Sequence, residues 1–423
     1  MRLMNSENVA NIMMRALDYV DPRLIDHGVR TGYCVLRMME ADGGYDKGTV
    51  RDMCIMSILH DIGAYKTEEI SNMVQFETGD VWEHSVYGYL FIKNLSPMPE
   101  YAPVILLHHL EYPRLKGVDC SDETKKKAQI LSLADRADVY RQMGQQQPVE
   151  EYLKRYVGTK FSKEVYDLFL KQQKQERNEN GGKDRQEREC YLDRVLGAIR
   201  EQPFSDEQIE GFLKMLIFSI DFRSEHTVIH TITTTAISVE AARRLNAGER
   251  LTEKIRHGAL LHDLGKIGIP VEILEFPGKL SPQAMNYMRT HVDLTEKILD
   301  GQVDDEVTQI ALRHHEKLDG SGYPKGWKEA DLSLAQRIVA VSDIVSALTG
   351  TRSYKEAYDK ERTLSILQRM KCEGLICPYT VDVLTESFDV IMEEVKRQCR
   401  PILDIYTGMK TEYNDIIEVC RNL

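Results

Sequence analysis

Apolar residues recur at three- and four-residue steps over Leu251 to Leu261, Pro282 to Leu299 and Leu334 to Leu348. That is the helical period, because residues three and four apart share one face of a helix. Ser281-Pro282 supplies an N-cap and a proline at the first helical position, and Gly301 follows the last apolar residue of the same segment. Few segments alternate as strands do, so the pattern predicts an all-α protein. In the last fifty residues Val381, Val383, Leu384, Phe388, Ile391 and Met392 mark closing helices that could also support a homodimer. Gln172 to Glu189, with Asn178-Glu179-Asn180-Gly181-Gly182 at its centre, carries almost no apolar residue and reads as a linker or a solvated helix-turn element.

A long-range repeat overlies this helical pattern. His27, His60-Asp61, His84, His108-His109 and Asp135 return in the same order as His230, His262-Asp263, His291, His314-His315 and Asp343, each 202 to 208 positions later. Five such elements in one order point to two tandem helical domains related by duplication. The boundaries expected are 1–171 for the first domain, 172–205 for a polar linker and 206–423 for the second.

The chain has 423 residues, enough for two or three domains with real cores. Its formal charge of −12 argues against a surface for DNA or RNA polymers, which are bound by clustered Lys and Arg. A small anionic ligand stays compatible if metals make a pocket locally positive. No apolar run approaches the roughly 18 residues of a membrane span, and Met1 to Val20 lacks the layout of a secretory signal. Eight cysteines without a Cys-x-x-Cys pair read as free thiols, so a cytoplasmic protein with no membrane partner is expected.

The histidines, only 12 in all, gather with aspartate rather than spreading out. His226 and His230 are four apart, which on a helix puts both rings on one face. In His262-Asp263, adjacent side chains at a helix end can turn to one point, and the two carboxylate oxygens can bridge two cations. His291 lies mid-helix, where an isolated histidine is ordinarily a packed residue, but its counterpart His84 argues otherwise. Asp343 follows the apolar run Ile338-Val339-Ala340-Val341 and would be costly buried unless paired or metal-bound. Imidazole and carboxylate without thiolate suit iron, manganese, nickel, cobalt or zinc.

His262-Asp263-Leu264-Gly265-Lys266-Ile267-Gly268-Ile269-Pro270, His314-His315, Gly322-Tyr323-Pro324 and Ala347-Leu348-Thr349 with Arg352 together resemble an HD-GYP domain over about residues 222 to 395. That family is a branch of the HD metal-dependent phosphohydrolases, whose characterised members cleave cyclic dinucleotides such as cyclic di-GMP. The resemblance implies metal ligands at His226, His230, His262, Asp263, His291, His314, His315 and Asp343. It implies two divalent transition metals, iron or manganese favoured, with a third in question because His226 stands where the family can have glutamate. Asp263 and Lys266 would be catalytic, the ammonium resting on a phosphate oxygen and the attack coming from a metal-bridging hydroxide. Gly322, Tyr323, Pro324, Arg352 and Lys355 would join Lys266 in binding substrate. Ser346 and Ser353 depart from the usual aspartate and proline. The implied activity opens cyclic di-GMP to linear pGpG and onward to GMP. Cyclic GMP-AMP, another nucleotide, or a non-catalytic dinucleotide receptor are the alternatives.

The first copy keeps His27, His60, Asp61, His84, His108, His109 and Asp135, but Ala64, Gly144 and Leu115-Lys116-Gly117 stand where Lys266, Arg352 and Gly-Tyr-Pro align. Lys66, two positions on, could compensate for Ala64. This copy resembles an HD domain without the substrate apparatus. It reads as a metal or nucleotide sensor, or as a phosphohydrolase for a different substrate.

Overall fold

The computed structural model describes residues 3–19, 25–64, 82–144, 147–179, 188–222, 229–276, 278–350 and 358–422. Among them the regular elements are helices, and β pairing is limited to isolated bridges at Val157–Phe161 and Asp319–Lys328. No helix among the described residues is long and apolar enough to cross a membrane. The protein is all-α.

The chain divides into two compact units, one of Asn5–Met215 with Met409–Leu423, the other chiefly Leu216–Gly408. In the first, the His27–Asp42 helix packs against Lys47–Leu59 and Asp122–Gln142, burying Val35, Met38, Ile55, Leu59, Leu131 and Ala134. In the second, Glu249–Leu261 packs against His230–Arg244, Asp305–Leu312 and Leu334–Thr349, burying Ala236, Ile255, Ala259, Ile310, Ile338 and Val341. Each large aliphatic side chain so buried contributes roughly 1.5–3 kcal/mol.

Helix ends follow local chemistry. Asp46, Ser121 and Ser333 accept from the backbone N–H of Thr49, Thr124 and Gln336 and so start their helices. The helices expected from Leu251 and Leu334 run Glu249–Leu261 and Leu334–Thr349. The one expected over Pro282 to Leu299 is instead two, Pro282–Arg289 and His291–Leu299. Thr290 interrupts it, since its N–H and its hydroxyl both donate to the Tyr287 carbonyl, at 3.0 and 2.7 Å. The segment 172–205 contains the end of the Lys163–Glu179 helix and the helix Arg188–Glu201. Val195, Leu196 and Ile199 are buried there within the first unit, because three apolar residues at helical spacing form a stripe despite the polar residues before them. Residues 180–187 lie outside the described residues.

Candidate metal centre

The second unit assembles its histidines from element ends. His230 opens the His230–Arg244 helix, His262 follows Glu249–Leu261, His291 opens His291–Leu299, and His314-His315 follow Asp305–Leu312. Asp343 projects from within Leu334–Thr349. His230 Nε2 lies 3.1 Å from Asp343 Oδ1 and 3.4 Å from Asp263 Oδ2, and His262 Nε2 lies 3.1 Å from Asp263 Oδ2. On the other side, His291 Nε2 and His314 Nε2 lie 3.5 and 3.9 Å from Asp263 Oδ1. His315 Nδ1 is 3.6 Å from Asp343 Oδ2. The two oxygens of Asp263 thus face two groups of imidazoles. His226, Arg352 and Lys355 lie outside the described residues, as do Glu225 and Ser353.

Close approach of backbones makes this convergence possible. A Cβ on Gly265 would fall 1.9 Å from the His291 carbonyl oxygen and 2.6 Å from Thr295 N. Only glycine lets the turn after Asp263 lie against the start of the next helix. The Gly265 N–H donates to Thr295 Oγ1 at 2.8 Å and locks that approach. The first unit repeats the device at Gly63, whose Cβ would fall 2.1 Å from the His84 carbonyl oxygen.

The protonation pattern is set behind the rings. Nδ1 of His262, His291 and His314 donates to the carbonyls of Ala259, Met288 and Ala311, each at 2.7 Å. A carbonyl only accepts, so these rings carry their proton on Nδ1 and point an Nε2 lone pair inward. For His230, Ser346 Oγ donates to the His230 carbonyl at 3.1 Å, which leaves the hydroxyl oxygen to accept from Nδ1 at 2.9 Å. Ser346 therefore holds this ring through its hydroxyl.

Nε2 of His291 and Nε2 of His314 approach to 3.3 Å, and those of His230 and His262 to 3.4 Å. Burial lowers the pKa of His291 and His314, so both are neutral and two lone pairs face each other. Burial likewise pushes His315 down to about 3. Asp263 Oδ1, buried beside them, receives no hydrogen bond among the described residues. Among the described residues these three acceptors converge without a donor, an arrangement that suits a cation. Burial works against charge on His230, but Asp263 and Asp343 raise it to about 9, so there a proton or an ion can serve. Burial pushes the Asp263 carboxyl up, yet His262 and Lys266 outweigh it and hold it well below the usual carboxylate range. The Lys266 ammonium pairs with Asp263 Oδ2.

Gly322-Tyr323-Pro324 is built onto the same backbone. A Cβ on Gly322 would meet Glu316 Cα, His315 O and Lys317 N, all at 2.5 Å. Tyr323 N–H donates to the His315 carbonyl at 3.2 Å, its ring sits 4.6 Å from the His315 ring, and the Arg289 guanidinium lies 4.8 Å over it. Buried Glu316 accepts from the N–H of Lys325 at 2.8 Å and of Trp327 at 3.0 Å. Sequence reading missed Glu316 and Arg289, though Glu316 directly follows the histidine pair. Glu316→Ala leaves two donors without a charged acceptor, each such bond being worth about 1.5–3 kcal/mol. The variant is expected to raise KM more than it lowers kcat and to make the 320–328 loop a preferred proteolytic site. Unchanged KM and an unchanged cleavage pattern would refute that role.

The first unit repeats the arrangement. His27 Nε2 lies 3.3 Å from His60 Nε2 and 3.2 Å from Asp135 Oδ1, His60 Nε2 lies 3.3 Å from Asp61 Oδ2, and His84 Nε2 lies 3.9 Å from Asp61 Oδ1. His84, His108 and His109 bring nitrogens within 4.8 Å of one another. Asp138 backs His27 here, accepting from Nδ1 at 2.8 Å, and Arg30 Nε donates to Asp138 at 2.6 Å. Neither Asp138 nor Arg30 was singled out from sequence. The repeat carried the signal, since Asp138 aligns with Ser346 at the spacing of 208 that relates Asp135 to Asp343.

A family model described as HD domain matches residues 214–376. The chain is 25% identical over 391 residues to the 3′3′-cGAMP-specific phosphodiesterase 1 of Vibrio cholerae, covering 88% of this chain and 89% of that protein. It is 35% identical over 194 residues to a cyclic di-GMP phosphodiesterase response regulator of Xanthomonas campestris, covering 45% of this chain and half of that one. Among solved structures, a cyclic GMP-AMP specific phosphodiesterase of V. cholerae aligns with a TM-score of 0.57 over 91% of this chain and 98% of that one. At 19% identity that likeness shows the fold.

Proposed function

We propose, from the premise that residues 214–376 are an HD domain of the HD-GYP type, that the second unit is a metal-dependent phosphodiesterase that hydrolyses a cyclic dinucleotide. The observation that carries this reading is the bridging geometry of Asp263, with one oxygen toward His230 and His262 and the other toward His291 and His314. His230, His262, Asp263 and Asp343 would hold one ion, and Asp263, His291, His314 and His315 the other. The mixed nitrogen and oxygen donors suit several divalent transition metals; the HD-GYP resemblance favours iron or manganese, with His226 a further candidate ligand. When bound, such ions supply Lewis acidity to phosphoryl oxygens and lower the pKa of water.

The chain's own groups do the rest. Backbone carbonyls and Ser346 fix the imidazole tautomers before substrate arrives. Lys266, already drawn to the bridging carboxylate, is placed to set its ammonium against a phosphate oxygen as charge grows there. Tyr323, its ring held between His315 and Arg289, is placed to offer its hydroxyl to the substrate for a hydrogen bond. Arg352 and Lys355 are proposed to meet the second phosphate. The expected product is the linear dinucleotide, pGpG from cyclic di-GMP, with onward hydrolysis to GMP.

Two substrates compete for the finer assignment. The HD-GYP resemblance favours cyclic di-GMP. The V. cholerae relative that spans nearly the whole chain is specific for 3′3′-cGAMP, which favours that ligand. Turnover of both compounds, measured side by side on anaerobically purified protein with its metals quantified, decides between them. Full metal loading with tight binding and no turnover of either would make the unit a receptor. The free cysteines among the described residues fit the reducing cytoplasm proposed as its setting.

Lys266→Ala discriminates further. An enzyme should lose roughly 10²–10³-fold in kcat while Kd for the dinucleotide changes only a few-fold. A loss confined to Kd would overturn the catalytic role.

A further inference from the structure

We propose that the first unit carries its own two-ion metal centre and holds those ions more tightly than the second unit holds its pair. The HD family model begins at residue 214 and does not reach this unit. The donors converge all the same. Asp61 presents Oδ2 toward His60 and Oδ1 toward His84, and His27 and Asp135 close one side while His108 and His109 close the other. Among the described residues, both Asp61 oxygens and the Nε2 of fully buried His108 find no hydrogen-bond partner. His60 Nδ1 donates to the Ser57 carbonyl at 2.7 Å and His108 Nδ1 to the Ile105 carbonyl at 2.5 Å, so both rings aim an Nε2 lone pair inward. Buried lone pairs and an orphaned carboxylate need a cation to offset their desolvation.

Two differences from the second unit set the order of affinity. The carboxylate of Asp138, itself held by Arg30, backs His27, whereas a neutral hydroxyl backs His230. A carboxylate behind a ligating imidazole makes it a stronger donor, and such outer partners change metal affinity by about 10–100-fold. In the second unit the Lys266 ammonium also occupies the bridging carboxylate, competing with cations for Asp263 Oδ2. At the aligned position the first unit has Ala64, which cannot compete, while Lys66, two positions on, lies outside the described residues. The adjoining cleft is lined by Leu17, Val29, Ile58 and Ala64 with Asp18 and Asp26. Those carboxylates at its wall suit retained cations better than a doubly anionic dinucleotide.

The test is a chelator titration of the full-length, manganese-loaded protein, read as ions retained per chain. Two populations of about two ions each are expected, one surviving chelator roughly tenfold above the concentration that removes the other. His262→Ala with Asp263→Ala should delete the labile population, and His60→Ala with Asp61→Asn the resistant one. Asp138→Asn, which keeps the shape and loses the charge, should make the resistant ions labile while circular dichroism shows the helices intact. Should a double variant fail to fold, Asp138→Asn carries the test alone. Retention unchanged in Asp138→Asn, a resistant population lost with His262 and Asp263 instead, or only one pair of ions per chain would each overturn the proposal.

Discussion

Asp263→Asn is expected to abolish hydrolysis, lowering kcat by roughly 10³-fold or more, and to release ions from the second unit. Asparagine keeps the size of the side chain, so the fold should survive. It cannot keep the chemistry. One of the two oxygens that face opposite imidazole groups becomes an amide nitrogen, whose hydrogens would point toward a cation or a lone pair but not bridge. The unit negative charge that offsets two dications is lost at the same time. Metal analysis together with steady-state turnover of a cyclic dinucleotide checks both effects. A variant that retained its full metal complement and stayed within about tenfold of the parent rate would show that Asp263 is not the bridge.

Gly265→Ala should be nearly as damaging although it removes no functional group. Its Cβ would lie 1.9 Å from the His291 carbonyl oxygen, 2.6 Å from Thr295 N and 2.9 Å from His291 C, all backbone atoms with no rotamer to turn away. The His291–Leu299 helix must retreat, taking His291 with it by on the order of 1 Å, and displacements of that size can cost about 10²-fold in rate. The packing strain adds roughly 3 kcal/mol or more of destabilisation. A lowered melting temperature together with the loss of rate is the expected result. Gly408→Ala, whose Cβ would meet nothing within 4 Å, is the control: it should leave the rate unchanged and, lying inside a helix, raise stability slightly, by about 0.5–1 kcal/mol. If Gly265→Ala melted and turned over like that control, the close approach would not be what holds the centre together.

Much of this was legible before any coordinates. The 3.6-residue period yields an all-α fold because a helix must bury one stripe, and that stripe is written in sequence at every third or fourth position. The break at Thr290 was not legible, since a threonine hydroxyl that turns back to the Tyr287 carbonyl leaves the apolar spacing of Pro282 to Leu299 intact. Nor was the helix Arg188–Glu201 visible against its polar surroundings, because three apolar residues suffice for a short packed face. Seven candidate ligands of the second unit, from His230 to Asp343, stood out by their order and by the copy 202 to 208 residues earlier. Their supports did not stand out. Glu316, Arg289, Asp138 and Arg30 are common charged residues whose roles come from what lies opposite them.

The sequence by itself determined the helical class, the repeated order of the histidines and aspartates and the chemical identity of the candidate donors, because periodicity, repeat spacing and side-chain type are properties of the chain as written. The tertiary structure alone decided which oxygen of Asp263 meets which imidazoles, and that Gly265 and Gly322 admit no side chain. It alone set a hydroxyl behind His230 and a carboxylate behind His27, pairing residues 116 and 111 positions apart. Contacts of that range arise only when helices pack, and the packing is a sum over many buried side chains that no local pattern records.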